Sequence, residues 1–476
     1  MTTACAHAPP DWLDGWWLMT ARFLRFPLAL LTAAALAAVA SCAGSSGSSG
    51  QDPGTPVSRA SAPAPAPSAS AVTLAVPAGE NGGALSTPRT LTMPAGWTAQ
   101  AWARVPDARI EAWTPAGDLL VSQPNLGRVS ELHPGKSGTA TMTTLLSGLT
   151  SPQGMAFARL DGKWVLYVAE TNEIDRYPWG PAGIAGPRTV IAGQLPDLDS
   201  SGDDVHRLKD VTVAGDGTVY FNVGSSSNAD PDDRTMSPQR ADIMAVRPDG
   251  TDLRVVLRGV RNGEGLAVAP DGTVWTAVNE RDNIPYPSHG PYATYSDAFG
   301  KVIRAYVNDH PADEVVPVTA GRDLGWPYCD PDQDRSSPQG SLANVPLVPN
   351  AVTNPNGSEL NCAALTPVEA GLPAHSAPIG TTFLEGSNVP APWSGGAVIA
   401  VHGSWDRQPP QAPAVLWLAW NAAKGTLSPA VTLVGGFENA DGSFWGRPVD
   451  TVPGPDGALY VSDDAAGAIY RLAAAT

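Results

Sequence analysis

Three features of this 476-residue chain predict an all-β fold, a six-bladed β-propeller of four-stranded antiparallel blades. First, one phrase recurs six times: a short apolar strand, a Gly-centred turn, and a second apolar strand that runs into polar residues. The turns are Ala116-Gly117, Asp161-Gly162, Asp216-Gly217, Asp271-Gly272, Gly395-Gly396 and Asp456-Gly457. Second, successive turn glycines lie 45, 55, 55, 124 and 61 residues apart, so the unit is periodic and the long interval predicts an insertion around residues 280–390. Third, 49 Gly and 47 Pro fit a turn-dense chain, and helical periodicity is hard to find outside the N-terminus. Hydrophobic residues make up 43%, with 15 Trp, enough for a sizeable core.

Each element follows from the turn. Asp-Gly between apolar runs predicts a tight hairpin, because both turn residues must tolerate positive φ. The hairpin turn sits at one end of its blade, so residues just before the first strand and just after the second share the opposite end. The pre-strand segments are SPQG (151–154), VHRLKD (205–210), VRNGEG (260–265), HSAPIG (375–380) and FWGRPVD (444–450); the post-strand segments are AETN (169–172), GSSSN (224–228), NERD (279–282), HGSWDR (402–407) and SDD (462–464). All are predicted to ring the mouth of one central channel, carried on loops held by a rigid scaffold.

The formal net charge is −17, without a Lys/Arg run, which sets nucleic-acid binding aside. Against that background the mouth cations Arg207, Lys209, Arg261, Arg407 and Arg447 point to an anionic ligand, since a guanidinium is a planar fork matched to carboxylate. The plainer alternative is that each pairs with a nearby acid.

At the N-terminus, Arg22 and Arg25 precede an apolar run from Phe26 to Ala40 that ends Val39-Ala40-Ser41-Cys42, the pattern of an export signal over 1–42. The ending resembles a bacterial lipoprotein signal, with Cys42 as the lipidated first residue; an ordinary secretory signal is the alternative. Met19 opens a more regular signal than Met1. Residues 43–88, rich in Gly, Ser, Ala and Pro, are expected to form a disordered tether, leaving 89–476 as the propeller. An exported, surface-anchored protein touching the membrane only through its lipid is the expectation. Cys329 and Cys362 are then an even pair in an oxidising compartment and are expected to form a disulfide within the insertion.

The segments VHRLKDVTVAGDGTVYFNVGSSSN, GVRNGEGLAVAPDGTVWTAVNERD, HPADE, GRDLGWPYC, LPAHSAPIG, AVHGSWDR and GRPVDTVPGPDGALYVSDD, in that order, resemble the soluble quinoprotein sugar dehydrogenases, especially the L-sorbosone and aldose sugar dehydrogenase branch. The resemblance runs from about Leu91 to Leu472. It implies a propeller that binds pyrroloquinoline quinone (PQQ) and calcium and oxidises a sugar or aldehyde, passing electrons to an external acceptor. PQQ carries three carboxylates, the kind of anion the arginines suggest. By the same resemblance His206 is the general base, oriented by Asp203 or Asp204. Arg261 and Asn262 contact the quinone, Arg447 and Arg407 bind its carboxylates, and Trp326 covers the sugar or cofactor. Lys209 stands where an arginine is common and is counted among the cofactor-binding residues. Calcium is expected at the NERD loop, with Asn279, Glu280 and Asp282 as candidates. Gln153, Glu170 and His375 are candidate substrate contacts. Where the family reads Arg-Asn-Pro, this chain has Arg261-Asn262-Gly263-Glu264, which places an acid near the quinone.

Two other functions use the same scaffold. A calcium-dependent propeller hydrolase, such as a lactonase, would gather Glu170, Asn228, Asn279 and Asp463 around a central metal. A non-catalytic, surface-anchored binding propeller would need no such chemistry.

Overall fold

A computed structural model of the chain describes residues 66, 68–136, 138–197, 206–336 and 340–474. The signal over 1–42 with Cys42, and the candidate orienters Asp203 and Asp204, lie outside the described residues.

Six radial sheets form the predicted propeller. Blade 1 runs from the axis outward as Glu111–Trp113, Leu119–Gln123, Arg128–Pro134 and Ala140–Ser147. Blade 2 is Met155–Leu160, Lys163–Ala169, Ile174–Gly180 and Thr189–Ala192; blade 3 is Val211–Val213, Val219–Val223, Asp242–Val246 and Arg254–Arg258. Blade 4 takes Gly265–Val268, Val274–Val278, Asp313–Pro317 and Val368–Leu372, and blade 5 takes Pro378–Phe383, Gly396–Val401, Ala414–Asn421 and Val431–Val434. Blade 6 combines Pro448–Pro453, Leu459–Asp463 and Ala468–Ala474 with Trp97–Arg104, which pairs antiparallel to Ala468–Ala474. The two ends of the propeller sequence thus share one sheet, which closes the ring and leaves no gap between first and last blade.

The long interval between turns holds the two outer strands of blade 4 plus its insertions, one between Val278 and Asp313 and one between Pro317 and Val368. Cys329 and Cys362 are joined in the second of these, with Cα atoms 5.7 Å apart. Closing a 33-residue separation restricts the unfolded chain and is worth about 2–4 kcal/mol.

The turns differ from expectation in two ways. Only Asp161-Gly162 is a two-residue turn with both residues at positive φ, 51° and 76°. In blades 1, 3, 4 and 6 the glycine alone is left-handed, and a longer loop is closed by paired backbone bonds such as Ala214 N to Thr218 O and Gly217 N to Ala214 O. In three of these loops the Asp stays right-handed and its carboxylate accepts from the amide two residues on, as Asp216 does from Thr218 at 2.9 Å. Gly395-Gly396 is not a hairpin turn. The first strand of blade 5 ends at Phe383, and Gly396 begins the second after an irregular connection containing the short 3-10 turn Trp393–Gly395. A further difference falls in the expected tether, where Ala69–Ala75 (ASAVTLA) is a strand paired with Thr90–Pro94 and, in parallel, with Trp97–Arg104. Its apolar positions face the core of blade 6, where Leu74 is buried with Leu91 and Met93.

Blades stack through apolar faces. Tyr167 and Val165 of blade 2 meet Phe221, Val219 and Val211 of blade 3 in one buried cluster. Each fully buried side chain of this size contributes about 1.5–3 kcal/mol. Near the axis the faces come closer still. A Cβ at Gly154 would stand 2.5 Å from Val211 N, and one at Gly380 would stand 2.2 Å from Asp450 Oδ1, so glycine at the end of these pre-strand segments lets adjacent blades touch.

Candidate active site

The loops before the first strand and after the second strand of each blade meet at one axial end, linked by hydrogen bonds around the ring. Arg109, just ahead of blade 1, donates from Nε and Nη2 to Gln153 Oε1 at 3.0 and 2.8 Å, from Nη2 to Glu264 Oε2 at 3.2 Å, and from Nη1 to Asp464 Oδ2 at 3.0 Å. Those partners precede blades 2 and 4 and follow blade 6. Gln153 Nε2 donates to Glu264 Oε2 (2.8 Å) and Asn262 Nδ2 donates to Glu264 Oε1 (2.9 Å). Asp464 Oδ1 lies 2.9 Å from His402 Nε2 after blade 5, and Arg447 Nε donates to the His402 carbonyl at 2.8 Å. His402 and Arg109 hold the Asp464 carboxyl far below the usual carboxylate range despite its burial. Beneath this ring, one to four residues further along the inner strands, lies an axial cavity of about 230 Å³ flanked by Glu111, Asp210 and Asp450. Burial raises all three carboxyls, Asp450 to about 6.

His206 enters the same end from ahead of blade 3. Its Nδ1 lies 2.8 Å from Ser225 Oγ and 3.2 Å from Ser225 O. Ser225 Oγ spends its own hydrogen on Ser227 O at 2.7 Å, so it accepts from Nδ1–H. The proton therefore sits on Nδ1 and the basic lone pair on Nε2. Burial lowers the imidazole pKa well below 6.5, helped by the positive charges of Arg261 and Arg240 and opposed by the Ser225 contact. The ring is neutral at pH 7. Asn262 is its neighbour across Gly224, where an added Cβ would stand 2.6 Å from His206 Cβ and 3.0 Å from Asn262 Oδ1. That Asn262 oxygen is buried and has no hydrogen-bond partner among the described residues.

Arg261 is used differently from expectation. Its Nη1 donates to the carbonyls of Asn279 (3.0 Å) and Glu280 (2.8 Å), Nε to Asn228 O (3.2 Å), and Nη2 to Asn228 Oδ1 (3.0 Å). A guanidinium thus clamps the post-strand loops of blades 3 and 4, and four of its N–H contacts go to protein. The same contacts bear on calcium. The Asn279 and Glu280 carbonyls point at Arg261, the Asp282 carbonyl accepts from Asn228 Nδ2 at 2.9 Å, and burial beside Asp330 and Asp313 pushes the Glu280 carboxyl up to about 8 against the pull of Arg261. Each of the Asn279 and Glu280 carbonyls thereby spends one of its two lone pairs on Arg261, and Glu280 Oε2 is buried without a hydrogen-bond partner among the described residues. Asp282 keeps a partly exposed carboxylate, 3.8 Å from Arg261 Nη2 and 3.7 Å from His375 Nδ1. His375 donates from Nε2 to Val307 O at 2.7 Å, which anchors it to the insertion.

Of the remaining predicted residues, Gln153 and Arg447 join the ring. Glu170 does not: it accepts from the Thr150 amide and from Arg188, which Glu173 and Asp175 also hold. Lys209 is buried, its Nζ donating to Pro196 O (2.8 Å) and Arg207 O (3.0 Å). Arg407 donates to Asn308 O and Gln411 Oε1, tying down the blade 4 insertion. Trp326 is 1% exposed, with its backbone amide bonded to Gly259 O beside the outer strand of blade 3, so it packs in the wall, where its indole Nε1 has no hydrogen-bond partner among the described residues. Trp405, by contrast, is 72% exposed on the post-strand loop of blade 5. The residues missed by the sequence reading are Arg109, Ser225 and Asp464. The signal for Arg109 was present, because it stands in the pre-strand segment of the first hairpin, where the other five segments were read and this one was not.

Fold and site together define a propeller whose axial mouth gathers a neutral imidazole, an orphan amide oxygen and hydrogen-bonded arginines. A family model described as TrAA12-like matches residues 91–475, and the chain belongs to that family. Among solved structures, the propeller is similar to the carbohydrate-active enzyme family AA12 protein of Trichoderma reesei (TM-score 0.64, 19% identity, covering 81% of this chain and 97% of that one). It is equally similar to the PQQ domain of pyranose dehydrogenase from Coprinopsis cinerea in its holo form (TM-score 0.63, 20% identity, 81% and 97% covered). The curated PQQ-dependent pyranose dehydrogenase of Coprinopsis cinerea is 27% identical over 293 residues, 53% of this chain and 37% of that protein. The chain spans about a third of the length of the curated relatives it matches.

Proposed function

We propose that this chain is a PQQ-dependent dehydrogenase of an aldose or related sugar or aldehyde, with His206 as the base. The observation that carries the reading is a buried imidazole, kept neutral by that burial and held in one tautomer by Ser225, beside the unpartnered Asn262 oxygen at the end where all six blades meet. The named activities of the Coprinopsis relatives support it. The quinone fits the residues present: Asn262 Oδ1 is an acceptor awaiting a donor, and Arg447, whose side chain donates to the His402 and Gly403 carbonyls, supplies positive charge on the opposite side of the ring. Bound there, the quinone would supply the hydride acceptor, which an external electron acceptor would then reoxidise.

The chain's own residues do the rest. His206 Nε2 takes the sugar hydroxyl proton as hydride leaves the same carbon, so the C–O bond gains double-bond character while the proton stays on the protein. Ser225 fixes the ring against rotation. Arg261 acts as a positioning residue: it holds the Asn228 and NERD loops, and its charge adds to burial in lowering the imidazole pKa. The hydrolase reading lacks its metal centre among the described residues. Glu170 is bound to Arg188, Asn228 and Asn279 to Arg261, and Asp463 to the Arg447 and Ala466 amides and the Tyr470 hydroxyl.

The test is reduction of an artificial acceptor dye by the purified chain with a panel of aldoses and aldehydes, with and without PQQ and with and without Ca²⁺. Dye reduction that requires PQQ is the expected result; hydrolysis of a lactone without quinone, or no response to PQQ, overturns it.

We further propose that the protein is exported and lipid-anchored through Cys42. The Cys329–Cys362 disulfide supports an oxidising location. A Cys42→Ser variant is expected to leave the membrane fraction in a cell-fractionation assay, and its retention there removes the anchor.

A further inference from the structure

We infer that the blade 4 insertion carries a divalent transition-metal site of the zinc type, made by His310 Nε2, Asp332 Oδ1 and Asp334 Oδ2, separate from the axial mouth. The three ligand atoms lie within 4.8 Å of one another. Their sequence positions are far apart, but the fold brings the segment after the helix Arg304–Val307 against the 3-10 turn Gln333–Arg335.

His310 is nearly fully buried, and its Nε2 has no hydrogen-bond partner among the described residues. Its other nitrogen is spoken for: Nδ1 lies 3.1 Å from the Tyr306 carbonyl, which can only accept, so Nδ1 carries a proton and Nε2 is the atom turned toward the two carboxylates. A metal ion between them would take the Nε2 lone pair and both carboxylate oxygens as ligands. A backbone carbonyl behind the distal nitrogen is the usual support of a metal-bound histidine. Tyr306 also stacks on the ring, 4.0 Å between centroids at 11°, which fixes its plane.

Distances separate a metal from a proton. Nε2 is 3.4 Å from Asp332 Oδ1 and 3.7 Å from Asp334 Oδ2. An imidazolium paired with a carboxylate closes to about 2.7–2.9 Å. Two ligands each about 2.0–2.1 Å from a tetrahedral zinc ion stand about 3.3 Å apart. The 3.4 Å edge to Asp332 matches the second figure, and the 3.7 Å edge to Asp334 lies within reach of it by a small turn of that exposed side chain. A nitrogen donor beside two oxygens favours zinc-like ions over Ca²⁺, which takes oxygen ligands. Asp332 is oriented by capping its turn, where Oδ1 accepts from the Asp334 amide at 3.0 Å and Oδ2 lies 3.7 Å from Arg335 Nε. Asp334 is exposed, giving the ion an entry path and room for a water ligand. Asp309, next to His310, accepts from Gln333 Nε2 through its carbonyl and lies 3.6 Å from Arg407 Nη2. The ion would therefore join the two insertions of blade 4, tying the segment that carries His310 to the turn that carries Asp332 and Asp334.

The experiment is metal analysis of the full chain after chelation and reloading with Zn²⁺ in excess Ca²⁺, so that oxygen-only sites are filled. Visible absorption of a Co²⁺-loaded sample would report the ligand geometry. One zinc per chain is expected, with a rise in Tm that Ca²⁺ alone does not give and an intense tetrahedral cobalt band. His310→Gln, and independently the exposed change Asp334→Asn, are each expected to weaken zinc binding by at least about tenfold. Absence of stoichiometric zinc in the wild-type chain overturns the site. Wild-type affinity in folded Asp334→Asn and His310→Gln proteins identifies an adventitious ion and overturns it as well. Neither readout depends on quinone or on dehydrogenase activity.

Discussion

His206→Ala is expected to lower kcat by about 10²–10⁴-fold, the range for loss of a positioned general base, while the protein still binds PQQ. Nδ1 meets Ser225, and PQQ binding by the variant separates loss of the base from loss of the fold. The pH profile of the wild-type chain supplies a second readout. Activity requires the unprotonated ring, so kcat/KM rises with pH through the His206 pKa and then levels. Burial, with Arg261 and Arg240, holds that pKa well below 6.5, so the acid limb is expected on the acid side of the ordinary histidine range, with a plateau through neutrality. A steady-state series in the dye assay, paired with PQQ binding followed by absorbance, measures both. Retention of more than a tenth of wild-type turnover in His206→Ala would remove the residue from the base role, and so would an acid limb centred at or above 6.5 that persists in the variant.

What could be read in the chain and what could not divides along a physical line. The Gly-centred turns, four Asp-Gly and one Ala-Gly, located five of six inner hairpins because a left-handed glycine leaves a local mark, and the fixed period then put pre- and post-strand loops at one end. That argument is topological, so it placed Gln153, His206, Asn262 and Arg447 together without knowledge of any side chain. It failed where the deciding partner is a backbone carbonyl. Lys209, Arg261 and Arg407 occupy mouth loops, yet their N–H groups are spent on the carbonyls of Pro196 and Arg207, of Asn279 and Glu280, and of Asn308. Carbonyl direction is set by loop torsion and leaves no residue type to read. Glu170 illustrates the same limit with side chains, since Arg188 reaches it from a later strand of the same blade. Trp326 lies in GWPYC, whose setting depends on the Cys329–Cys362 loop folding back on blade 3, a long-range packing event with no periodic signature. Gly395-Gly396 imitated a turn because Gly396 begins a strand, where a Cβ would stand 2.3 Å from Leu418 O.

Arg261→Ala is expected to cost about 3–5 kcal/mol of stability, comparable to breaking a buried ionic cluster, and to abolish most activity with it. The Asn228, Asn279 and Glu280 carbonyls lose this donor in a site where the guanidinium is 2% exposed, while Asn228 Oδ1 keeps the Asp282 amide at 2.9 Å. Each buried acceptor left unpaired costs about 1–3 kcal/mol. Against a total stability of about 5–15 kcal/mol the loss is large, so chemical denaturation reads it directly. Arg261→Lys keeps the charge but not the fork. One ammonium cannot bridge Asn228 on one loop and both Asn279 and Glu280 on the other, so partial recovery of stability is expected. The charge has its own signature. Arg261 helps to depress the His206 pKa, and its removal lets that pKa rise toward the ordinary value. The acid limb of the residual activity in Arg261→Ala therefore moves to higher pH, whereas in Arg261→Lys it stays near its wild-type position. A brace without electrostatic influence would change stability in both variants and leave the limb in place. Wild-type stability in the lysine variant, or an unmoved limb in the alanine variant, would show that the guanidinium neither holds the two loops nor sets the protonation state of the base.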